Sequence, residues 1–243
     1  MKTPNNHYFC RVKTKEGTIK VIIPALNEEQ SIGKVIRDIP KNLAAEIVVV
    51  DNGSTDNTVQ EAESHGATVL KENKRGYGMA CLTGINYVLS REPIPAIIVF
   101  IDADYSDHPE EMGILVNPII ENGYDMVIGS RAMGNRESGS MTIPQIFGNW
   151  LATSLLRVFY RARFTDLGPF RAIKTSSLQK LGMTDQNFGW TVEMQLKAAK
   201  QKMKCTEIPV RYRRRIGKSK VSGTVKGTIL AGYKILWTIF KYV

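Results

Sequence analysis

The sequence predicts an α/β fold with a mainly parallel central sheet flanked by helices. Short β-branched and apolar runs alternate with segments of helical apolar spacing in the first half of the chain, which is typical of such sheets. Glu46–Val50 and Ala96–Ile101 are apolar almost throughout, as expected of strands that helices cover on both faces. Polar or small residues follow these strands. Because ligands bind beyond the carboxyl ends of parallel strands, this edge of the sheet is the predicted site.

Composition places the predicted strands, and capping residues help to place the helices between them. Ser31 and Asp56 have side chains suited to helix N-termini, and Gly66 is suited to end the second helix. The predicted strands are Lys20–Pro24, Glu46–Val50, Ala67–Leu70, Ala96–Ile101, Tyr124–Gly129 and Lys204–Tyr212. The other predicted helices are Gly78–Leu89, one starting at Asp107, Ile146–Tyr160, Trp190–Gln201 and Thr224–Val243. Ser130–Gln145 is rich in Gly, Ser, Arg and Asn, which predicts a mobile loop.

Length and charge limit the classes of protein and partner. The chain has 243 residues, of which 43% are hydrophobic, and this fits one folded domain spanning residues 1–243. The net charge of +10 favours anionic partners, such as phosphates or an anionic membrane. Nucleic acid is not an expected partner, because the basic stretch 211–220 contains a single aromatic residue, Tyr212. The three cysteines are too far apart to indicate a disulfide framework or a metal site.

The expected location is the cytoplasm, with peripheral contact at the inner face of the membrane as an open possibility. The N-terminus lacks the apolar core of a signal peptide, and no apolar run reaches the ~18–20 residues of a membrane span. The terminal helix, about 224–243, is apolar on most of its surface and carries Trp237, Tyr242 and several lysines. That pattern fits core packing and fits an interfacial helix equally well. The sequence does not indicate an oligomeric state.

Two carboxylates, Asp102 and Asp104, directly follow the predicted strand Ala96–Ile101. At the mouth of a buried strand they repel each other, and removing them from water is costly. A divalent cation bound by oxygen ligands removes this cost and can bridge to a diphosphate. The pair therefore predicts a site for Mg²⁺ or Mn²⁺.

Four strand ends carry motifs in a fixed order. They are Pro24–Glu29, Val49–Asp56, Asn73–Ala80 and Asp102–Asp104. Together they resemble the hallmarks of the inverting family 2 glycosyltransferases of GT-A type: P-x-x-N-E, V-D-x-G-S-x-D, a glycine-containing loop before a helix, and D-x-D. The resemblance covers about the first 130 residues and implies the GT-A fold.

The resemblance also implies roles in binding a nucleotide-sugar donor. Asp51 would contact the nucleotide, and Asp102 and Asp104 would hold the sugar-nucleotide and the metal. The remaining donor contacts implied in this half are Pro24, Leu26, Glu28, Arg75 and Gly76. Asn52 stands where the family often has a second Asp, so no charge is expected at that position.

The second half resembles dolichol-phosphate mannose synthases and polyprenyl-phosphate glucosyltransferases. Asp166–Ala172 resembles their D-x-x-x-G-F-R-A region, and Arg214–Lys220 resembles their R-x-x-G-x-S-K element. That element closes over the donor diphosphate, which implies donor contacts from Arg214, Ser219 and Lys220. The chain departs from the pattern at Ser106, where a Gln is common, and in the loop 131–145.

The function implied is metal-dependent transfer of a hexose, with inversion, from UDP-glucose or GDP-mannose to a polyprenyl-phosphate lipid. A lipid phosphate is already anionic near neutral pH, so no strong general base is required. The predicted catalytic residues are Asp104, Asp166 and Arg131, and the predicted acceptor contacts are Ser130, Arg131 and Arg136. A hydroxyl acceptor would need a base, for which Asp166 and Glu193 are candidates. A soluble or polymeric hydroxyl acceptor and a non-catalytic nucleotide-binding module are the alternatives.

Overall fold

The computed structural model describes residues 18–217 and 225–242, and within them a single seven-stranded sheet forms the centre of the fold. The strands are β1 Ile19–Ala25, β2 Ala44–Asp51, β3 Thr68–Lys71, β4 Ile97–Phe100, β5 Met126–Ser130, β6 Arg171–Lys174 and β7 Cys205–Pro209. The helices are α1 Ile32–Asp38, α2 Thr58–Ser64, α3 Tyr77–Leu89, α4 Met112–Asn122, α5 Ile143–Tyr160, α6 Thr175–Leu181, α7 Trp190–Lys200 and α8 Val225–Lys241. A short 3-10 helix, Pro109–Glu111, precedes α4.

The sheet is mainly parallel, which confirms the predicted fold class. Its order is β3-β2-β1-β4-β6-β5-β7, and β6 alone runs antiparallel to both of its neighbours. Composition did not predict β6, because its four residues, RAIK, begin and end on a charged side chain. Pairing on both sides, with β4 and with β5, makes this segment a strand in spite of its composition.

Apolar side chains form one cluster on each face of the sheet. Gly84 of α3 lies so close to Ile22 of β1 that a Cβ there would stand 2.6 Å from its Cγ2, so the helix can approach the sheet only with glycine. On the same face, Phe100 and Trp190 pack edge to face with ring centroids 5.9 Å apart. These contacts fix β1 and β4, whose carboxyl ends carry the predicted motifs.

Two predicted helix caps act differently in the structure. Ser31 occupies the N-cap position of α1, but its hydroxyl donates to the Glu28 carboxylate rather than accepting from the helix. Asn57, not Asp56, is the N-cap residue of α2, while Asp56 accepts from the backbone N–H of Thr58. Both side chains therefore tie the loops at the carboxyl ends of the strands, where a ligand would bind.

The segment predicted as a mobile loop has defined backbone pairing. Tyr212 donates its N–H to the Asn135 carbonyl, and its own carbonyl accepts from the Glu137 N–H. Thr142 then opens α5 with a capping box in which Gln145 is the partner. The stretch after β5 is thus held by the chain that follows β7.

The described side chains of the last helix, α8, pack on the body of the protein by one side of the helix. Thr238 and Ile239 are buried, and the Tyr160 hydroxyl of α5 donates to the Ile239 carbonyl at 2.6 Å. Leu230, Tyr233, Trp237 and Phe240 are exposed. Neither α8 nor any other helix within the described ranges combines the length and apolarity needed to cross a membrane.

Candidate active site

A cavity of about 330 Å³ opens at the carboxyl ends of β1, β2 and β4. Seven residues predicted from sequence to bind the donor lie on its wall: Pro24, Leu26, Glu28, Arg75, Gly76, Asp102 and Asp104. Eight others that sequence reasoning did not assign to the donor also line it: Ala25, Asn52, Tyr77, Ala80, Ala103, Asn187, Phe188 and Arg215. The carboxyl ends of the parallel strands therefore bring together residues that are far apart in the sequence.

The two carboxylates after β4 lie in different electrostatic settings. Asp102 accepts a hydrogen bond from the Tyr77 hydroxyl at 2.9 Å. Burial raises the pKa of Asp102 to about 7, and repulsion from Asp104 adds to the shift. Asp104 instead receives two hydrogen bonds from Ser106, from its N–H at 2.9 Å and from its hydroxyl at 2.5 Å. Ser106 thus holds Asp104 in place at the position where a Gln was expected.

Arg215 links the carboxylates on two sides of the cavity. Its guanidinium lies 3.1 Å from Asp104 Oδ2 and 2.6 Å from Glu28 Oε1. Arg214, which sequence resemblance assigned to the donor, lies elsewhere: its Nε donates to the Ser138 carbonyl and its N–H to Glu137. The next residue, Arg215, lines the cavity, and Arg214 is not among the lining residues.

The loops after β1 and β2 are bonded to each other beside the cavity. Asn27, whose φ of 52° is in the left-handed region, accepts from the Thr55 N–H at 2.7 Å. Its own N–H donates to the Ser54 hydroxyl at 2.8 Å. The Glu28 N–H likewise donates to Thr58 Oγ1 at 2.8 Å. Hydrogen bonds from the V-D-x-G-S-x-D motif and from Thr58, the first residue of α2, thereby hold the backbone of the loop that carries Glu28.

Asp51 and Asn52 are adjacent in the V-D-x-G-S-x-D motif, but their side chains make different contacts. The Asp51 carboxylate accepts from the N–H groups of Gly53 and Ser54, and it does not line the cavity. Asn52 does line it, and its side chain accepts from the Gly76 N–H at 2.7 Å and donates to the Lys74 carbonyl at 2.8 Å. A neutral amide can donate and accept at once, so Asn52 orients the loop that carries Arg75.

A second polar centre lies outside the cavity wall, around Arg131 and Asp166. The Arg131 guanidinium makes two parallel hydrogen bonds to the Asp166 carboxylate, 2.8 Å from Nε and 2.6 Å from Nη2. Burial alone would raise the pKa of Asp166, but the Arg131 guanidinium lowers it below its usual value. Arg131 also lies over the ring of Tyr212, 5.1 Å from its centroid.

The other predicted acceptor residues stand apart from each other. Ser130 is fully buried and shares a 2.7 Å hydrogen bond with Thr165, so in this conformation it cannot touch an acceptor. Arg136 is exposed and donates to the Met141 sulfur. Ser219 and Lys220 lie outside the described residues. Glu193 is buried among Thr184, Asp185, Lys197 and Tyr242, which use its carboxylate oxygens.

Asp107 is a buried carboxyl whose role the sequence did not indicate beyond the start of a helix. It is 1% exposed, and neither side-chain oxygen has a hydrogen-bond partner. Burial raises the pKa of Asp107 well above its usual range, and the nearby Asp102 adds to the shift. Its position three residues after Asp104 is the signal that sequence reasoning could have used.

The donor set in the cavity fits a cation that is shared with a bound phosphate. Mg²⁺ and Mn²⁺ prefer oxygen ligands, and sites of this kind use one or two carboxylates together with substrate phosphates. Asp102 and Asp104 supply two carboxylates. Within the described ranges, no three His, Cys, Asp or Glu side chains come close enough to hold a metal without such help. The pair therefore suits a metal that arrives with a diphosphate.

Comparison with known proteins identifies the family. The model of the family described as glycosyl transferase family 2 matches residues 20–182. An uncharacterized glycosyltransferase of Mycobacterium tuberculosis is 35% identical over 216 residues, which cover 88% of this chain and 94% of that protein. A dolichyl-phosphate hexose transferase of Haloferax volcanii is 30% identical, with 87% of this chain and 90% of that protein covered.

Solved structures share the architecture at lower sequence identity. Glucosyl-3-phosphoglycerate synthase of Mycobacterium tuberculosis, solved with Mn²⁺, UDP and glucosyl-3-phosphoglycerate, superposes with a TM-score of 0.72 at 22% identity. The match covers 93% of this chain and 80% of that one. Because the family model spans more than half of the sequence and the relatives cover most of it, the chain belongs to glycosyl transferase family 2, and it is a glycosyltransferase with the GT-A fold.

Proposed function

We propose that this glycosyltransferase moves a hexose from a nucleotide-diphosphate sugar to a polyprenyl-phosphate-type lipid, with inversion at the anomeric carbon. The observation that carries the proposal is the cavity in which Asp102, Asp104 and Arg215 face one another at the carboxyl ends of the strands. A phosphate oxygen of the acceptor forms the new bond to the anomeric carbon, and the bond to the nucleoside diphosphate breaks on the opposite side. The donor is UDP-glucose or GDP-mannose.

Asp102 and Asp104 would hold Mg²⁺ or Mn²⁺ together with the donor diphosphate. The cation supplies neutralisation of the charge that develops on the leaving diphosphate. The solved glucosyl-3-phosphoglycerate synthase, which contains Mn²⁺ and UDP together, supports this arrangement in the same fold. Arg215 contributes fixed positive charge beside Asp104, and Arg75 contributes it at the cavity rim.

The contacts that the buried carboxylates of Asp166 and Glu193 already make favour a phosphate as the acceptor group. A hydroxyl acceptor would need a general base, and both candidates for that base are engaged: Asp166 with Arg131, and Glu193 with Thr184 and Lys197. An acceptor that is already anionic needs cations to position it rather than a base. Arg131 and Arg136 are the proposed contacts for that phosphate.

Exposed apolar surface on α5 and α8 supports a lipid acceptor. The exposed apolar side chains of α5 are Ile143, Ile146, Phe147, Trp150, Val158 and Phe159, and those of α8 are Leu230, Tyr233, Trp237 and Phe240. The rings of Phe159 and Phe240, 5.6 Å apart, join the two helices. Aromatic side chains beside the exposed cations Arg157 and Lys241 suit the surface of an anionic bilayer.

Two archaeal relatives also support a lipid phosphate. One is named dolichyl-phosphate hexose transferase, and a protein of Methanococcus voltae, 28% identical with 79% of this chain covered, is named UDP-N-acetylglucosamine–dolichyl-phosphate N-acetylglucosaminyltransferase. A soluble phosphorylated acceptor is the second candidate, favoured by the solved synthase, whose name specifies 3-phosphoglycerate. Both acceptors carry a phosphate that cations can position, but 3-phosphoglycerate also offers a hydroxyl as the nucleophile, which would need a base.

An acceptor competition separates the two candidates. The purified protein is given Mn²⁺, radiolabelled UDP-glucose or GDP-mannose, and an equimolar mixture of a short-chain polyprenyl phosphate and 3-phosphoglycerate. Label that moves into the organic phase supports the lipid acceptor, whereas label retained in a water-soluble phosphate ester selects the second candidate. Donor hydrolysis alone would contradict both.

The proposed contact of α8 with the membrane can be tested separately. Trp237→Ser combined with Phe240→Ser should reduce co-sedimentation with vesicles containing phosphatidylglycerol by roughly tenfold, because two aromatic side chains lose their apolar contact with the bilayer. Ile94→Ser, which changes an exposed apolar residue on another surface, is the matched control. Equal sedimentation of the wild type and the double variant would remove α8 from the proposed membrane surface.

A further inference from the structure

One wall of the donor cavity comes from a loop that also contacts the last helix. The loop Thr184–Gly189 joins α6 to α7, and its residues Asn187 and Phe188 line the cavity on the side of Gly76. Gln186 and Asn187 are exposed, and Phe188 is only half-buried. Apolar packing therefore does little to fix this wall, and polar contacts must set its position.

The loop lies directly against the start of α3. The Gln186 carbonyl accepts from the Met79 N–H at 3.0 Å. A Cβ at Gly76 would collide with the Gln186 carbonyl, and one at Gly78 would collide with the Asp185 carbonyl. Between these glycines stands Tyr77, whose hydroxyl donates to Asp102. A shift of the loop would therefore reach the side chain that bonds one of the proposed metal ligands.

Asp185 is the centre of the polar contacts that shape the loop. It is 9% exposed, and its Oδ1 accepts from the N–H of Asn187 at 2.8 Å and from that of Gly189 at 3.1 Å. Its own N–H donates to Glu193 Oε2 at 2.8 Å. The other carboxylate oxygen, Oδ2, pairs with Lys234 Nζ at 3.0 Å. One carboxylate thus holds both ends of the cavity-lining turn and connects it to α8.

Removing the cation from such a pair leaves a buried carboxylate without compensation, which is costly. The Asp185 side chain is 6% exposed and that of Lys234 is 33% exposed. Without Lys234, Asp185 must turn toward water, and this turn weakens its hydrogen bonds to the Asn187 and Gly189 N–H groups. The turn that carries Phe188 would then lose its anchor.

We propose that Asp185 is a positioning residue of the donor pocket, and that α8 holds it in place through Lys234. Donor binding would consequently depend on how α8 packs against the loop 184–189. The same helix carries the exposed Trp237 and Phe240. The inference rests on the proposed function for the identity of the ligand, but the mechanical link between α8 and the cavity wall does not.

Hydrogen exchange without any substrate tests the link. In Lys234→Met, the amides of residues 184–189 and 76–80 should exchange roughly tenfold faster than in the wild type, because the loop and the start of α3 are bonded to each other. Lys234→Arg should restore protection. Lys34→Met removes an equal charge from the exposed surface of α1, and its loop 184–189 should exchange as in the wild type.

Donor kinetics test the consequence for the pocket. With Mn²⁺ and whichever of UDP-glucose and GDP-mannose turns over, Lys234→Met should raise the donor KM roughly tenfold and leave the KM for the short-chain polyprenyl phosphate unchanged. A variant that is merely less stable would contain less active protein, but its donor KM would not rise while its acceptor KM stayed the same. Asp185→Asn combined with Lys234→Met should recover part of the loss, because the amide needs no cation.

The outcomes separate the inference from the proposed function. Unchanged exchange in the loop of Lys234→Met would overturn the link, whatever the kinetics. Faster exchange with an unchanged donor KM would overturn the role of the link in the donor pocket. Faster exchange in a protein that turns over neither donor would remove the proposed function and leave the link between α8 and the cavity wall standing.

Discussion

Arg131 and Asp166 form a buried ion pair with two parallel hydrogen bonds, and the Arg131 N–H adds a third bond to the same carboxylate at 2.7 Å. Their side chains are 12% and 1% exposed. The pair joins the end of β5 to the segment before β6, and Arg131 stacks on Tyr212 from the chain after β7. Three separate stretches of sequence therefore meet at one guanidinium.

Breaking that pair should destabilise the fold. Asp166→Asn leaves the Arg131 guanidinium buried without a counter-charge, and we expect the free energy of unfolding to fall by roughly 3–5 kcal/mol. Urea unfolding followed by circular dichroism measures it. Glu110→Gln breaks an ion pair to Arg211 whose side chains are 43% and 51% exposed, and it should cost less than about 1 kcal/mol. Equal losses in the two variants would contradict the account.

Metal affinity should rise with pH up to neutrality. Because the pKa of Asp102 is about 7, a proton occupies this carboxyl at lower pH and must leave before a cation can bind. We expect the apparent Kd for Mn²⁺ to fall about tenfold per pH unit below 7 and to level off above it. Free Mn²⁺, measured by electron paramagnetic resonance with saturating UDP present, gives the Kd, and Asp102→Asn controls for titration of the nucleotide itself. The same affinity at pH 5.5 and pH 7.5 would exclude Asp102 as the titrating ligand.

Asp107 should make the protein less stable as pH rises. Its pKa is raised in the folded state, so above its ordinary value the folded protein binds more protons than the unfolded chain, and stability falls with increasing pH. Asp107→Asn removes this titration. The variant should therefore gain stability relative to the wild type between pH 4 and pH 8, by about 1 kcal/mol or more. Thermal unfolding at several pH values checks this, and parallel profiles would refute it.

Two adjacent arginines should differ sharply in their effect on donor use. Arg215→Met removes the guanidinium between Glu28 and Asp104, and kcat/KM for the donor should fall roughly 10²–10³-fold. Arg214→Met changes a residue bonded to Ser138 and Glu137, and kcat/KM should change less than about threefold. Steady-state kinetics on both variants decides between them. The reverse order would restore the assignment made from sequence resemblance.

Sequence patterns predicted the parallel part of the fold because strands covered on both faces are apolar throughout. β4 has this composition, and β1 and β2 depart from it only at Lys20, Glu46 and Asp51. The carboxyl ends of these strands bring Glu28 and Asp102 to one cavity. β6 has no such pattern, since its pairing with β4 and β5 is decided by the tertiary structure.

The cavity residues from the second half of the chain could not be predicted from the sequence, for a related reason. Asn187 and Phe188 belong to a loop with no motif, and the contact between that loop and α3 brings them to the cavity wall. Arg213, Arg214 and Arg215 are alike in sequence, but they reach Tyr105, Ser138 and Asp104 respectively. The direction in which each of these side chains points depends on the backbone conformation, which composition does not specify.

The most direct measurement is metal-dependent transfer by the wild type and by Asp104→Asn. Labelled UDP-glucose or GDP-mannose is incubated with Mn²⁺ and a short-chain polyprenyl phosphate, and both labelled glycolipid and released nucleotide are counted. Glu63→Gln, an exposed carboxylate on α2, serves as the matched control. The account predicts equal amounts of glycolipid and nucleotide from the wild type and the control, and loss of both with EDTA or in Asp104→Asn. Undiminished transfer by Asp104→Asn would contradict it.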